Sequence, residues 1–212
     1  MERLGNLNLH FKGTQNGSKS VTRPSFRGNF VDAWSYLNMD EFLSPEAIEI
    51  KKKCEKFATE INPTLYDYAE TATFPHHLIP RIADLGISGA DIPKEFGGKG
   101  LSVTDCGSFM YELARKDASI ATFYLLHSSL GLFNVLKLAS PTLRDSLLKE
   151  TIPLKKVLAW GLTEPDHGSN ASGIESTATK VDGGYLLNGK KRWIGNATFS
   201  DYIIVWARNT AE

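Results

Sequence analysis

The stretch Leu162-Thr163-Glu164-Pro165-Asp166-His167-Gly168-Ser169-Asn170-Ala171-Ser172-Gly173 decides how this chain reads, together with Lys191-Arg192-Trp193-Ile194-Gly195-Asn196 a hairpin's distance downstream. Thr and Ser hydroxyls, a Gly that lets backbone N–H groups approach, and a Trp with a broad apolar face are the groups that grip a flat, hydrogen-bonding ring system. The same region marks a change of period. Before Pro153 the apolar residues recur at spacings of three and four, and after it they alternate. The expected fold class is α+β, an N-terminal all-α helical bundle followed by the first half of an antiparallel β-domain. The expected divisions are a leader over 1–39, a helical domain over 40–155 and a β-domain over 156–212.

Within the helical part, Ser44-Pro45 is an N-cap followed by Pro at the first helical position. Ala47, Ile50, Cys54, Phe57, Ala58 and Ile61 then share a face, and Pro63 is expected to end the helix. A short helix follows over about 78–85, stopped by Gly86. The glycines between 86 and 102 do not have the GxGxxG spacing and lack a strand-to-helix context, so they read as an irregular loop. Two longer helices cover about 103–115 and 119–138. The second is apolar around much of its circumference, which suits the centre of a bundle and places His127 inside it. Ser140-Pro141 opens a last helix to about 149.

Segments 156–162, 176–181, 185–187 with 191–194, and 202–208 read as strands, with Asp182-Gly183-Gly184 and Asn188-Gly189 as turns. The last strand carries Ile203, Ile204, Val205 and Trp206. So apolar a strand should be interior, and an unpaired edge on it would invite pairing with another chain.

Composition narrows the function. Lys plus Arg and Asp plus Glu are balanced at 24 each, so no net field favours nucleic acid or an anionic membrane surface. No apolar run is expected to approach the roughly 20 residues of a membrane span. Cys54 and Cys106 match neither a metal-ligand spacing nor a CxxC pair and read as buried thiols; no metal site is expected. The first 31 residues, with five Lys or Arg against the single acid Glu2, have the composition of a poorly ordered leader. Within it, Arg3-Leu4-Gly5-Asn6-Leu7-Asn8-Leu9-His10-Phe11 resembles the N-terminal peroxisomal targeting nonapeptide, Phe11 standing where the stricter pattern has Leu or Ala. A mitochondrial transit peptide is the alternative.

From about Asp40 onward the chain resembles the acyl-CoA dehydrogenase and acyl-CoA oxidase family of flavoproteins. The resemblance rests on Leu-Thr-Glu-Pro at 162–165, Trp-Ile-Gly-Asn at 193–196, Glu112 to Ser119, His127 to Leu130, and Asn188 to Lys191 taken together. It implies FAD as cofactor, with Trp160, Leu162, Thr163, Gly168, Ser169, Trp193, Ile194 and Gly195 as its contacts. Thr163 and nearby amides would bond the pyrimidine end of the ring, and Trp193 would pack against it. Ser169 would also approach the bound acyl-CoA thioester, with Thr122 a second substrate contact. His167 and Asn170 depart from the family's usual small residue and Asp.

The resemblance further implies FAD-dependent α,β-dehydrogenation of an acyl-CoA to the trans-2-enoyl-CoA by homo-oligomeric enzymes. Gly195, where many dehydrogenases of the family have Thr, favours a short-chain acyl-CoA oxidase, because the missing side chain would leave room for dioxygen. Ala121-Thr122 stand where glutaryl-CoA dehydrogenases place Arg-Ser, which favours a monocarboxylic substrate. The family's catalytic Glu belongs to a C-terminal helical bundle with no counterpart here, so no catalytic residue is assigned. The 212 residues alone are expected to bind FAD weakly or not at all and not to turn over. A mitochondrial dehydrogenase that passes electrons to an electron-transfer flavoprotein, and a non-enzymatic CoA-binding or dimer-partner fragment, remain as alternatives.

Overall fold

The computed structural model describes residues 32–211, so the Arg3–Phe11 signal lies outside the described residues. Two compact units divide after Leu37. The described part of the first holds one helical turn, α1 (Ala33–Tyr36), whose N-cap Asp32 accepts from the Ser35 amide at 3.2 Å.

The second unit begins its helices with α2 (Pro45–Glu70), capped by Ser44, whose hydroxyl accepts from the Ala47 amide at 3.2 Å. Pro63 does not end it. The helix continues through Pro63 for two more turns, because Leu65 beyond it is buried in the core with Phe57 and Ile61. That burial offsets the roughly 3 kcal/mol that an interior Pro costs. After α3 (Ile79–Asp84), Gly86 takes φ +67°, as a C-terminal stop requires. Residues 86–102 form the expected irregular loop apart from one 3-10 turn at Lys94–Phe96.

Helix α4 (Val103–Ala114) starts with a capping box in which Ser102 and Asp105 exchange hydrogen bonds. Asp105 also accepts from the Ser44 amide at 2.9 Å, tying the start of α4 to the start of α2. Asp117 caps the next helix, α5 (Ala118–Leu138), by accepting from the Ile120 amide. Its middle, Leu125–Leu132, is wound as a π-helix. By length and apolarity this helix could cross a membrane, contrary to the expectation from its sequence. It is the core helix of the bundle: Ile120, Phe123, Tyr124, His127, Ser128 and Leu132 are all buried. Helix α6 (Pro141–Thr151) completes the helical part.

The strands are β1 (Leu158–Gly161), β2 (Thr177–Val181), β3 (Gly184–Asn188), β4 (Tyr202–Val205) and β5 (Arg208–Asn209). The β2–β3 hairpin is antiparallel as expected, with Gly183 at φ +80° in its turn. The other two pairings are parallel: β4 lies beside β1, with Leu158 opposite Tyr202, and β5 beside β2. Strand β4 is not wholly interior. Tyr202 and Ile204 pack on a core of Ile92, Leu132, Val135, Leu148 and Leu158, whereas Ile203 and Val205 face outward. Residues 191–194 are not a strand at all; they cross the end of β1.

One buried side chain joins the two kinds of structure. His127 on α5 accepts the Leu158 amide of β1 at Nδ1, 3.0 Å, so its proton is on Nε2 and is donated to the Thr151 carbonyl at the end of α6, 2.9 Å. Burial pushes its pKa down to about 4, against a partial upward pull from the Thr151 carbonyl. The unfolded chain therefore binds more protons than the folded one between the ordinary histidine value and 4. This stabilisation is complete above about pH 6.5 and is lost as pH falls through that window, by roughly 3 kcal/mol. Urea unfolding of the wild type and of His127→Gln between pH 7 and 4 checks it: the variant should be less stable at pH 7 and lose less on acidification. Equal losses in the two proteins exclude the imidazole as the cause.

Candidate functional site

The site grows from the end of β1. Trp160, Leu162 and Thr163 lie in succession where the strand leaves the sheet, and the 191–196 segment is stitched across them. Lys191 Nζ donates to the Leu162 carbonyl at 3.0 Å, and the Arg192 amide donates to the Thr163 carbonyl at 2.9 Å. The two halves of the motif, nearly thirty residues apart in sequence, therefore form one surface. Arg192 lays its guanidinium over the Trp193 ring, 4.5 Å from the centroid.

Glu164 fixes this surface. Its carboxylate is buried and accepts three hydrogen bonds: from the Glu175 amide at 2.6 Å, the Ser176 amide at 2.9 Å and Lys191 Nζ at 2.7 Å. Burial by itself would raise the Glu164 pKa, but the two amides, the Ser176 side chain and the Lys191 ammonium outweigh it and hold the carboxyl well below the usual range. Sequence reasoning placed Glu164 in the binding loop without this role. The signal was present in principle, as an acid in the loop and a Lys just past the Asn188-Gly189 turn, but nothing local pairs them.

The donors and faces a flat ligand needs are here. The Trp160 indole Nε1–H is buried and has no hydrogen-bond partner. The Thr163 hydroxyl likewise pairs with no group among the described residues. Trp193 is 80% exposed, an unusual state for the largest apolar side chain, and it sits at φ +63°. Gly168 and Ser169 lie on the exposed loop that follows, where even a Cβ on Gly168 would meet nothing within 4 Å. His167 approaches Glu175 at 3.4 Å and makes no bond to Ser169, so no nucleophile–base pair arises.

Other expectations separate from this surface. Thr122 is exposed on α5 with its hydroxyl turned back on the Ala118 carbonyl at 2.7 Å, and no hydrogen bond joins it to Ser169 among the described residues. The space beside Gly195 is filled rather than open: Leu126 Cδ1 of the π-helical turn stands where a Cβ on residue 195 would be. Neither Cys54 nor Cys106 is in a disulfide, and burial pushes both thiols up to about 12. Among the described residues no cluster of His, Cys, Asp and Glu could hold a metal ion.

Because the depressed Glu164 pKa lies below its unfolded value, its contribution is complete above the ordinary carboxylate range and is lost as pH falls beneath it. Glu164→Gln should lower Tm by several degrees at pH 7 and bring the 162–164 and 191–193 segments into fast amide exchange. Unchanged exchange in both segments would contradict the role given to this carboxylate.

Two family descriptions match the chain in tandem: "Acyl-CoA dehydrogenase, N-terminal domain" over residues 44–153 and "Acyl-CoA dehydrogenase, middle domain" over 159–212. Benzylmalonyl-CoA dehydrogenase of Aromatoleum aromaticum is 33% identical over 171 residues, covering 80% of this chain and 45% of that protein. Among solved structures, a glutaryl-CoA dehydrogenase from Mycobacterium smegmatis in complex with FADH2 superposes with a TM-score of 0.76 at 27% identity, over 82% of this chain and 45% of that one. An acyl-CoA dehydrogenase from Bacillus anthracis complexed with FAD gives 0.73 at 31% identity, over 81% and 30%. The chain spans less than half the length of each. With its helical and β parts both matched in order, the chain belongs to the acyl-CoA dehydrogenase family.

Proposed function

We propose that this chain supplies the helical and cradle walls of an FAD-dependent enzyme that converts a short-chain acyl-CoA to its trans-2-enoyl-CoA. The observation that carries this reading is the stitched surface of Trp160, Leu162, Thr163 and Trp193. It combines a buried indole donor lacking a partner, a free hydroxyl and an exposed aromatic face, and these fit an isoalloxazine ring. The chemistry FAD supplies is acceptance of a hydride from the thioester's β-carbon. Trp160 and Thr163 would hold the ring by their hydrogen-bond donors and Trp193 would cover it, an arrangement that would favour the charged reduced form. Neither buried Glu provides the base: Glu164 is saturated by its three donors, and Glu112 is paired with Arg115 at 2.6 Å. Ala121 offers no cation to a distal carboxylate, which supports a monocarboxylic acyl chain.

The electron acceptor is the finer question. Gly195 favours oxygen only if the space beside it is open, and Leu126 occupies that space. Together with relatives that are dehydrogenases, this supports transfer to an electron-transfer flavoprotein over oxidase chemistry. The Arg3–Phe11 segment supports a peroxisomal address and with it the oxidase reading, transfer to an electron-transfer flavoprotein goes with the mitochondrial alternative, and a homo-oligomer is the expected assembly.

Titration of FAD into the chain, followed by quenching of tryptophan fluorescence, should give weak saturable binding. Thr163→Ala should weaken it about tenfold, or ~1.4 kcal/mol. A wild type that does not bind, or a variant that binds equally well, counts against the cradle. Dye-linked acyl-CoA oxidation by the intact enzyme that contains this chain, without matching peroxide formation in air, is the outcome expected for the acceptor; stoichiometric peroxide would restore the oxidase reading.

A further inference from the structure

We propose that Asn196 is a positioning residue that sets the Trp193 face against α5 and β1, an inference that rests on the reading of Trp193 as a wall of the flavin site. Its side chain is 8% exposed, and Nδ2 donates to two carbonyls on different elements: Phe123 of α5 at 3.3 Å and Leu158 of β1 at 3.2 Å. Its own carbonyl accepts from the Phe199 and Ser200 amides at 3.1 and 2.8 Å, so the corner is closed on its far side as well.

Within four residues this corner holds two non-glycine residues in the left-handed region, Trp193 at φ +63° and Asn196 at φ +67°. Asn tolerates that region; a bulky Trp does so only when its surroundings impose it. Backbone outliers of this kind concentrate where a side chain must be presented in one orientation. Between them Gly195 has no Cβ, and Leu126 fills the volume a Cβ would need, so the corner lies directly on the π-helical turn of α5. The carboxamide is thus the polar fastening of a strained corner, Leu126 is its apolar prop, and the exposed Trp193 ring is what the two hold in place.

The test is Asn196→Gly, which accommodates the left-handed backbone but removes both carboxamide bonds. Chains labelled with 5-fluorotryptophan, with the Trp193 signal identified by Trp193→Phe, should show one sharp 19F resonance for Trp193 in the wild type. In the variant that resonance should shift and broaden, and FAD should bind about fivefold more weakly. A purely structural role would lower Tm and leave both readouts unchanged well below the transition, and that result overturns the proposal. If the glycine variant does not fold, Asn196→Asp, of the same shape and equally tolerant of this φ, sets a carboxylate against the two carbonyls and should move both readouts the same way. A wild type that does not bind FAD removes the flavin reading alone, while the 19F spectra still decide whether Asn196 orders Trp193.

Discussion

A single neutral imidazole carries the junction between helices and sheet. His127 takes the amide of Leu158 at one nitrogen and gives its proton to the last turn of α6 at the other, so β1 can start only where α5 and α6 allow. The candidate site follows β1: the Trp160–Thr163 exit, the loop beyond it and the segment stitched over it. Two buried backbone groups that water cannot reach are satisfied by one side chain, which is why burial and not exposure explains its proton affinity. Gly131 completes the approach, since a Cβ there would collide with Leu158.

From that junction a second buried group extends order into irregular chain. Glu164 gathers the amides at the start of β2 and the ammonium of Lys191, so three stretches with little regular structure of their own hold one shape. A surface for a planar ligand needs such preorganisation, because donors that must first be ordered lose much of their worth. The cost appears as unpaired or strained groups nearby: the indole N–H of Trp160 and the left-handed backbone at Trp193.

How much of this was legible depended on how local the cause was. The helix starts at Ser44-Pro45 and Ser140-Pro141 are written in their own residues, and the change of period after Pro153 separated helices from strands. Pro63 misleads because the local rule is overridden by burial of Leu65 two residues later. Lys191 to Ile194 mimics an alternating strand, yet its partners are carbonyls and a carboxylate at 162–164. The fold does bring the two motif segments together at the β1 exit, but the room beside Gly195 could not be judged from position 195. Its occupant comes from a helix 69 residues earlier, and only the folded chain brings Leu126 there.

The π-helical stretch Leu125–Leu132 has a consequence of its own. A wider turn holds more chain over a given rise than an α-helix does, so this part of α5 carries slack that its neighbours lack. Leu126, under the Trp193 corner, and His127, at the sheet junction, are both displayed from that slack. Loss of one residue there could be absorbed by rewinding to ordinary helix, leaving the bundle intact while rotating both side chains away from their partners. In this architecture the foldedness of the helices and the alignment of the site are thus separable properties, set by the winding of a single helix.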